Sequence, residues 1–79
     1  MDDNTSVLEE LIQKNGVGKG TLLGVDGNAY ALMGYTQGKL RRASWPREDI
    51  EKVMEIAQSS DYNNVIRTCM RVLDGEDSE

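Results

Sequence analysis

The only proline of the chain, Pro46, fixes a point at which one helix has ended and another begins. Proline has no amide hydrogen and a fixed φ, so it suits the first turn of a helix but not its interior. Glu48 and Asp49 follow it, where acidic side chains interact favourably with the positive end of a helix. Apolar residues then recur at helical spacing, at Ile50, Val53, Met54 and Ala57. The sequence therefore predicts a helix that begins at Pro46.

Two further helices are predicted at the two ends of the chain. The first runs from about Val7 to Lys14, because Ser6 and Glu9 have the S-x-x-E spacing of a capping box. The last runs from about Tyr62 to Leu73, after Ser59-Ser60-Asp61, a turn that supplies a capping aspartate. Its inward side chains are expected to be Tyr62, Val65, Ile66, Cys69, Met70 and Leu73.

The middle of the chain allows two structures. Asp26-Gly27 is a hairpin signal that would pair Leu22–Val25 with Ala29–Met33. The second of these segments does not alternate, and it is rich in strong helix formers, so a helix from about Ala29 to Ala43 is preferred. Its core face would hold Leu32, Met33, Thr36, Leu40 and Ala43. The apolar run at 21–25 predicts a short extended segment.

These elements predict a mainly α fold, a small helical domain of three to four helices with one short extended segment at about 21–25. Residues 1–79 form one domain, and 1–5 and 74–79 are expected to be flexible acidic ends. A single cysteine and no histidine leave no internal disulfide and no structural zinc site. A domain this small without such links needs tight helix packing or self-association, so we expect a homo-oligomer.

Charge is distributed unevenly along the chain. The formal net charge is -5, yet residues 11–73 hold six acids and all nine basic residues, which makes that section formally +3. The segment 27–47 carries four basic residues and no acid. No run approaches the roughly 20 apolar residues that span a membrane, and the N-terminus lacks the pattern of a signal peptide. A cytoplasmic protein is therefore predicted, with no membrane association.

One side of the predicted second helix carries residues of an unusual kind. Tyr30, Gly34, Gly38 and Arg41 are spaced by four, four and three, so they lie on one face. Each glycine costs a helix about 1 kcal/mol relative to alanine, so two of them require a reason. One reason is close packing of another helix, from this chain or from a second subunit. The other is close approach of a flat anionic ligand, with tyrosine stacking and arginine binding phosphate.

The candidate ligand-binding residues are Asn28, Tyr30, Gly34, Tyr35, Gly38, Arg41, Arg42, Trp45 and Arg47. Several of them also have a structural interpretation: Asn28 is a natural helix cap, and Trp45 before Pro46 is typical of a hydrophobic staple. Free amides at a helix start also suit phosphate, which is the functional alternative at Asp26-Gly27-Asn28.

Catalysis, metal binding and a cofactor are not expected. The chain has no histidine, no metal-ligand cluster and no nucleophile beside an evident base. The last two predicted helices resemble a helix-turn-helix, which would present Asn63, Asn64, Arg67 and Arg71 to DNA. The acids of the preceding helix would face phosphates unfavourably, so nucleic acid is not the expected partner.

Three segments together carry a resemblance to a known set of proteins. They are Asp26-Gly27-Asn28-Ala29-Tyr30-Ala31-Leu32-Met33-Gly34, then Trp45-Pro46-Arg47-Glu48-Asp49-Ile50, and finally Ser60-Asp61-Tyr62 before Arg67-Thr68-Cys69-Met70. This pattern resembles short, uncharacterised bacteriophage and prophage proteins that share a D-G-N-A-[FY] core. It covers about residues 24–73 and supplies a biological setting rather than an activity.

That setting implies a non-enzymatic protein that acts by stoichiometric binding. One class of small phage proteins sequesters nucleotide immune signals, and the basic, glycine-bearing segment fits that class. Another class blocks a host defence protein directly, and the exposed helical faces fit that one. The expected function is therefore an anti-defence sponge for an anionic nucleotide-like ligand. The alternative is a protein–protein inhibitor or adapter that docks on a host protein through its glycine-bearing helix.

Overall fold

A computed structural model describes residues 3–74, which form four helices and a two-stranded parallel ladder. In chain order the elements are α1 (Asp3–Asn15), β1 (Gly18–Lys19), α2 (Ala29–Arg42), α3 (Arg47–Ala57), α4 (Tyr62–Val72) and β2 (Leu73–Asp74). The predicted mainly helical fold class is confirmed. None of these helices is long and apolar enough to cross a membrane.

Side-chain caps fix the starts of α2 and α4 as the sequence predicts. The Asn28 side chain accepts a hydrogen bond from the amide of Tyr30 at 2.8 Å, and Asp61 accepts one from the amide of Asn64 at 3.0 Å. Each satisfies an amide that would otherwise lack a partner at a helix start. The segment after Asp26-Gly27 is therefore a helix, and the hairpin alternative is wrong.

Helix α1 differs from its prediction because it begins four residues earlier than expected. It begins at Asp3, so Ser6 lies inside the helix and the predicted capping box at Ser6 and Glu9 is wrong. Of the predicted flexible ends, residues 1, 2 and 75–79 lie outside the described residues. Residues 3–5 belong to α1 and Asp74 belongs to β2.

The extended piece of the fold lies at Gly18–Lys19 and not at 21–25. Gly18 pairs in register with Leu73, and the ladder is parallel. A Cβ at Gly18 would lie 3.0 Å from Cδ2 of Leu73, so the close approach of the two strands uses the missing side chain. The run at 21–25 forms a turn instead, with the amide of Val25 donating to the carbonyl of Leu22 at 3.0 Å.

Helix α2 lies against α3 and α4 and supplies the centre of the core. Its predicted inward residues Leu32, Met33, Thr36 and Leu40 are buried, and the Thr36 hydroxyl donates to the carbonyl of Leu32 at 2.8 Å. In α4 the residues buried against them are Val65, Thr68, Cys69 and Val72. The prediction that Tyr62 and Met70 also face inward is wrong, because both are exposed.

The junction between α2 and α3 is a tight C-terminal cap. The amide of Ser44 donates to the carbonyl of Arg41, and the amide of Trp45 donates to that of Leu40, both at 3.0 Å. This is the hydrogen-bond pattern of a Schellman motif, which needs a left-handed residue. Ser44 fills that place with φ 70°. Pro46 then caps α3, which begins one residue later than predicted, at Arg47.

Asp49 connects α3 to the end of α1. Its carboxylate, which is nearly buried, accepts a hydrogen bond from the side-chain amide of Asn15 at 3.0 Å and forms an ion pair with Lys14 at 3.0 Å. The Asn15 bond, followed by the Lys14 contact, holds the pKa of Asp49 below its usual value, although burial acts in the opposite direction. The charged form of Asp49 is therefore stabilised by folding.

We expect this link to weaken in acid. Because the pKa of Asp49 is lower in the folded chain, its contribution to the free energy of unfolding is complete above the unfolded value of about 4 and is lost as pH falls through the folded pKa. Urea unfolding of the wild type and of Asp49→Asn should thus differ most near neutral pH and converge below about pH 4. Glu48→Gln, an exposed neighbour, is the matched control. A wild-type advantage that stays constant down to pH 3 would contradict this assignment.

Candidate functional site

The face of α2 formed by Tyr30, Gly34, Gly38 and Arg41, here called the glycine face, is open to solvent. The Tyr30 side chain is 80% exposed. A Cβ built at Gly34 or at Gly38 would meet no atom within 4 Å. No other part of residues 3–74 therefore packs closely on these glycines, so packing within the described part of the chain does not explain them. A second subunit, another protein or a ligand remains as the explanation.

Beside the C-terminal end of this face, α2 and α3 enclose a cleft of about 520 Å³. We call it the arginine cleft, and its lining residues are Gln37, Arg41, Trp45, Arg47, Ile50 and Glu51. Its shape follows from the tight cap at Ser44, because that cap turns the chain sharply and places Arg47 at the start of α3 opposite Arg41 on the last turn of α2. The cleft thus unites three of the candidate residues, Arg41, Trp45 and Arg47.

Trp45 has a structural role within this cleft. Its side chain is only 4% exposed, and its indole N–H donates to the carbonyl of Gly16 at 2.9 Å. Buried indoles usually require such a partner. The ring therefore contributes to the wall of the cleft and ties the chain after α1 to the α2–α3 junction, and it does not present an open face for stacking.

The charges in the arginine cleft are two guanidinium groups and one carboxylate. Arg47 pairs with Glu51 at 3.1 Å, but both side chains are largely exposed, so water screens the pair. Arg41 forms no ion pair within the described part of the chain. Arg41 and Arg42 also lie in the last turn of α2, where cations complement the helix dipole. The interaction with the helix dipole therefore explains the presence of two basic residues here without a ligand.

The remaining candidate residues lie elsewhere on α2. The Asn28 side chain accepts hydrogen bonds from the backbone amides of Tyr30 and Ala31. An anion bound at this helix start would need the same two amides as donors. At 1.5 Å per residue, Asn28 is about 20 Å along the helix from Arg41, so the two cannot hold one phosphate. Tyr35 is half-buried, and its hydroxyl accepts from the amide of Thr21 at 3.2 Å. Arg42 is exposed and does not line the cleft.

A further concave surface, which the sequence does not predict, is an apolar groove of about 340 Å³ between the 20–27 loop and α4. Its lining residues carry no charge and are Gly20, Thr21, Leu22, Leu23, Val25, Gly27, Leu32, Tyr62, Ile66, Met70 and Leu73. The spacing of Tyr62, Ile66 and Met70 by four was the available signal, because it marks a single stripe along α4, which continues into Leu73 of β2. Helix α4 also has a separate stripe that is buried in the core. The apolar surface of the helix is therefore wider than the part that the core covers.

The turn at Asp26-Gly27-Asn28 and the start of α4 meet at one end of this groove. The Tyr62 hydroxyl donates to the carbonyl of Gly27, which joins the start of α4 to the turn before α2. The Asp26 carboxylate accepts from the amide of Asn28 at 3.1 Å within that turn. The Asp26-Gly27-Asn28 turn therefore has a structural role, which is to cap α2 and receive the hydroxyl of Tyr62.

Cys69 contributes no reactive group to either surface. Its side chain is fully buried, and that burial raises the pKa of the thiol, while contact with Thr36 acts weakly in the opposite direction. A thiol with a raised pKa is a poor nucleophile at neutral pH. Within residues 3–74, no group of three or more acidic or cysteine side chains is arranged to hold a metal ion.

Comparison with known proteins adds no relative to this description. No protein-family model matches the chain, and neither a curated protein nor a solved structure is similar to it. The fold and the two concave surfaces are therefore the basis on which a function is inferred.

Proposed function

We propose that this chain is a non-enzymatic binding protein that holds an anionic, nucleotide-like ligand in the arginine cleft. The observation that carries this proposal is the position of Arg41, a guanidinium with no ion-pair partner among residues 3–74, which lines a cleft of about 520 Å³ together with Arg47. Arginine binds phosphate with two parallel hydrogen bonds, and the volume lies within the range of small-molecule sites. Gln37 adds an amide that can donate to or accept from a base or a sugar.

The glycine face indicates how a longer ligand would lie. Tyr30 and Arg41 are separated by 11 residues, or about 16 Å along the helix, so one mononucleotide cannot reach both. A dinucleotide-like molecule can extend from the arginine cleft over the bare backbone at Gly38 and Gly34 toward the ring of Tyr30. In the phage setting that the resemblance implies, such a ligand would be a nucleotide immune signal, and the protein would act as a sponge for it.

The test is a panel of linear nucleotides, cyclic dinucleotides and ADP-ribose derivatives measured by thermal melting and then by calorimetry. A ligand present at 100 times its dissociation constant should stabilise the protein by about 2.7 kcal/mol, which is several degrees for a domain of this size. Arg41→Glu should weaken binding at least about tenfold, because it replaces the phosphate contact by a like charge. Arg67→Glu, an exposed arginine on α4, is the control and should bind as the wild type does.

Two results would contradict the proposal. One is a panel in which no compound raises the melting temperature. The other is a ligand whose affinity is unchanged in Arg41→Glu, since that ligand would bind elsewhere.

A second candidate function is docking of a host protein on the glycine face. The observation that favours it is that Gly34 and Gly38 are open while Tyr30 is 80% exposed, so a partner helix can approach the backbone closely. Gly34→Leu tests this second candidate, and a protein complex that forms without any nucleotide separates it from the first. The substitution should block a protein complex and leave the melting temperature of the free chain unchanged or raised, because leucine is a better helix former than glycine.

A further inference from the structure

The apolar groove concentrates large exposed hydrophobic side chains on a very polar chain. The mean hydropathy is -0.56 and the formal net charge is -5. Among the described residues, four large hydrophobic side chains are exposed, and three of them, Leu23, Tyr62 and Met70, line this groove. Isolated exposed hydrophobic residues are common, but their concentration around one concave surface marks an interaction site.

The groove has a floor, two walls and a projecting rim. Leu32 and Leu73 form its buried floor, and Ile66 on α4 lies in one wall. The opposite wall is the 20–27 loop, from which the side chain of Leu23 projects with 85% of its surface exposed. Met70, 60% exposed, forms the rim on the α4 side. One continuous apolar patch therefore contains a protruding leucine side chain and, beside it, an uncharged groove that can receive such a side chain.

We propose that a second copy of this chain covers the groove, with Leu23 of each copy inserted into the groove of the other. A two-fold interface uses the same patch on both subunits, so that patch must contain both the protruding side chain and the hole that receives it. The Leu23 rim and the adjoining groove meet this requirement. Because the lining residues of the groove are uncharged, the occupant needs no complementary charge.

The exposed rim favours a second chain over a small apolar molecule. A small molecule inside the 340 Å³ groove would leave the outer surfaces of Leu23 and Met70 in water. A protein surface covers the rim and the groove together, which removes more apolar area from water. This interface is separate from the arginine cleft, since the two share no lining residue, and it is independent of the proposed ligand.

The salt dependence of the dimer follows from its charge. Two copies with a formal charge of -5 each repel one another, and the proposed contacts are apolar. Added salt screens the repulsion and does not weaken apolar burial. The dimer should therefore become tighter between 50 mM and 500 mM sodium chloride.

The experiment is sedimentation equilibrium of the purified full chain across a wide concentration range. The wild type should approach twice the chain mass of 8.8 kDa, with tighter association at high salt. Leu23→Asp and Met70→Asp should each raise the dissociation constant about tenfold or more. Tyr30→Asp is the matched control, because Tyr30 is equally exposed but lies outside the groove, and it should associate as the wild type does.

Both groove positions are exposed, so the variants should remain folded, which far-ultraviolet circular dichroism checks. A wild type that is monomeric at every concentration overturns the proposal, and a melting temperature raised by decanoic acid in that monomer would assign the groove to a small apolar ligand. A dimer that persists in both groove variants but is lost in Tyr30→Asp also overturns it, and would assign the interface to the glycine face.

Discussion

Replacing Trp45 by alanine is expected to remove a large part of the stability of this domain. The side chain is 4% exposed, and truncating a buried tryptophan costs about 3–5 kcal/mol. A chain of this length has a total stability of about 4–12 kcal/mol. The change also leaves the carbonyl of Gly16 without its indole partner. Urea unfolding followed by circular dichroism measures the effect, since the variant lacks the only tryptophan.

Trp45→Phe separates the two contributions in this prediction. Phenylalanine keeps one of the two buried rings and loses the other ring together with the hydrogen bond to Gly16, so a smaller cost of about 1–3 kcal/mol is expected. Equal losses for Trp45→Ala and Trp45→Phe would mean that the hydrogen bond, and not the burial, carries the effect. A Trp45→Ala protein that unfolds at the wild-type urea concentration would contradict the placement of the ring in the core.

Gly20→Ala is expected to have the second large effect, for two separable reasons. Gly20 has φ 154°, a conformation that L side chains rarely adopt, which costs about 1–3 kcal/mol. A Cβ there would also lie 2.7 Å from the Tyr35 hydroxyl oxygen, so that ring or the loop must move. The two effects together should lower the free energy of unfolding by about 2–4 kcal/mol.

A double mutant with Tyr35→Phe distinguishes strain from collision. Removing the hydroxyl removes the colliding atom, so Gly20→Ala should cost less in the Tyr35→Phe background than in the wild type. The control is Gly34→Ala, which should raise stability because a helical glycine with nothing within 4 Å gains from alanine. Additive effects of Gly20→Ala and Tyr35→Phe would contradict the predicted collision.

The elements that the sequence predicts well are those fixed by local chemistry. Asn28 and Asp61 cap the next helix with their own side chains, and Pro46 excludes a helix interior, so each boundary depends on a few neighbouring residues. The parallel ladder was missed because Gly18 acquires its extended conformation by pairing with Leu73, far away in the chain. The spacing of Ser6 and Glu9 predicts a cap wrongly, because local spacing does not reveal that α1 continues back to Asp3.

The candidate site was predicted only in part, for a related reason. Helical spacing correctly places Tyr30, Gly34, Gly38 and Arg41 on one face, and α2 presents that face to solvent. Spacing also shows that α4 is apolar along Tyr62, Ile66 and Met70, but it does not show how much of that stripe its neighbours cover. The apolar groove is the uncovered part, and its other wall is the 20–27 loop, where the sequence predicts a short extended segment at about 21–25.

The parallel ladder also affects the order in which this chain assembles. Gly18 and Leu73 are 55 positions apart, and closing so long a loop before the helices have docked costs conformational entropy without compensating contacts. We therefore expect the ladder to form after the transition state for folding. Contacts that form late affect the unfolding rate rather than the folding rate. The pairing of Gly18–Lys19 with Leu73–Asp74 would then determine how long the folded protein persists before it unfolds, and not how fast it folds.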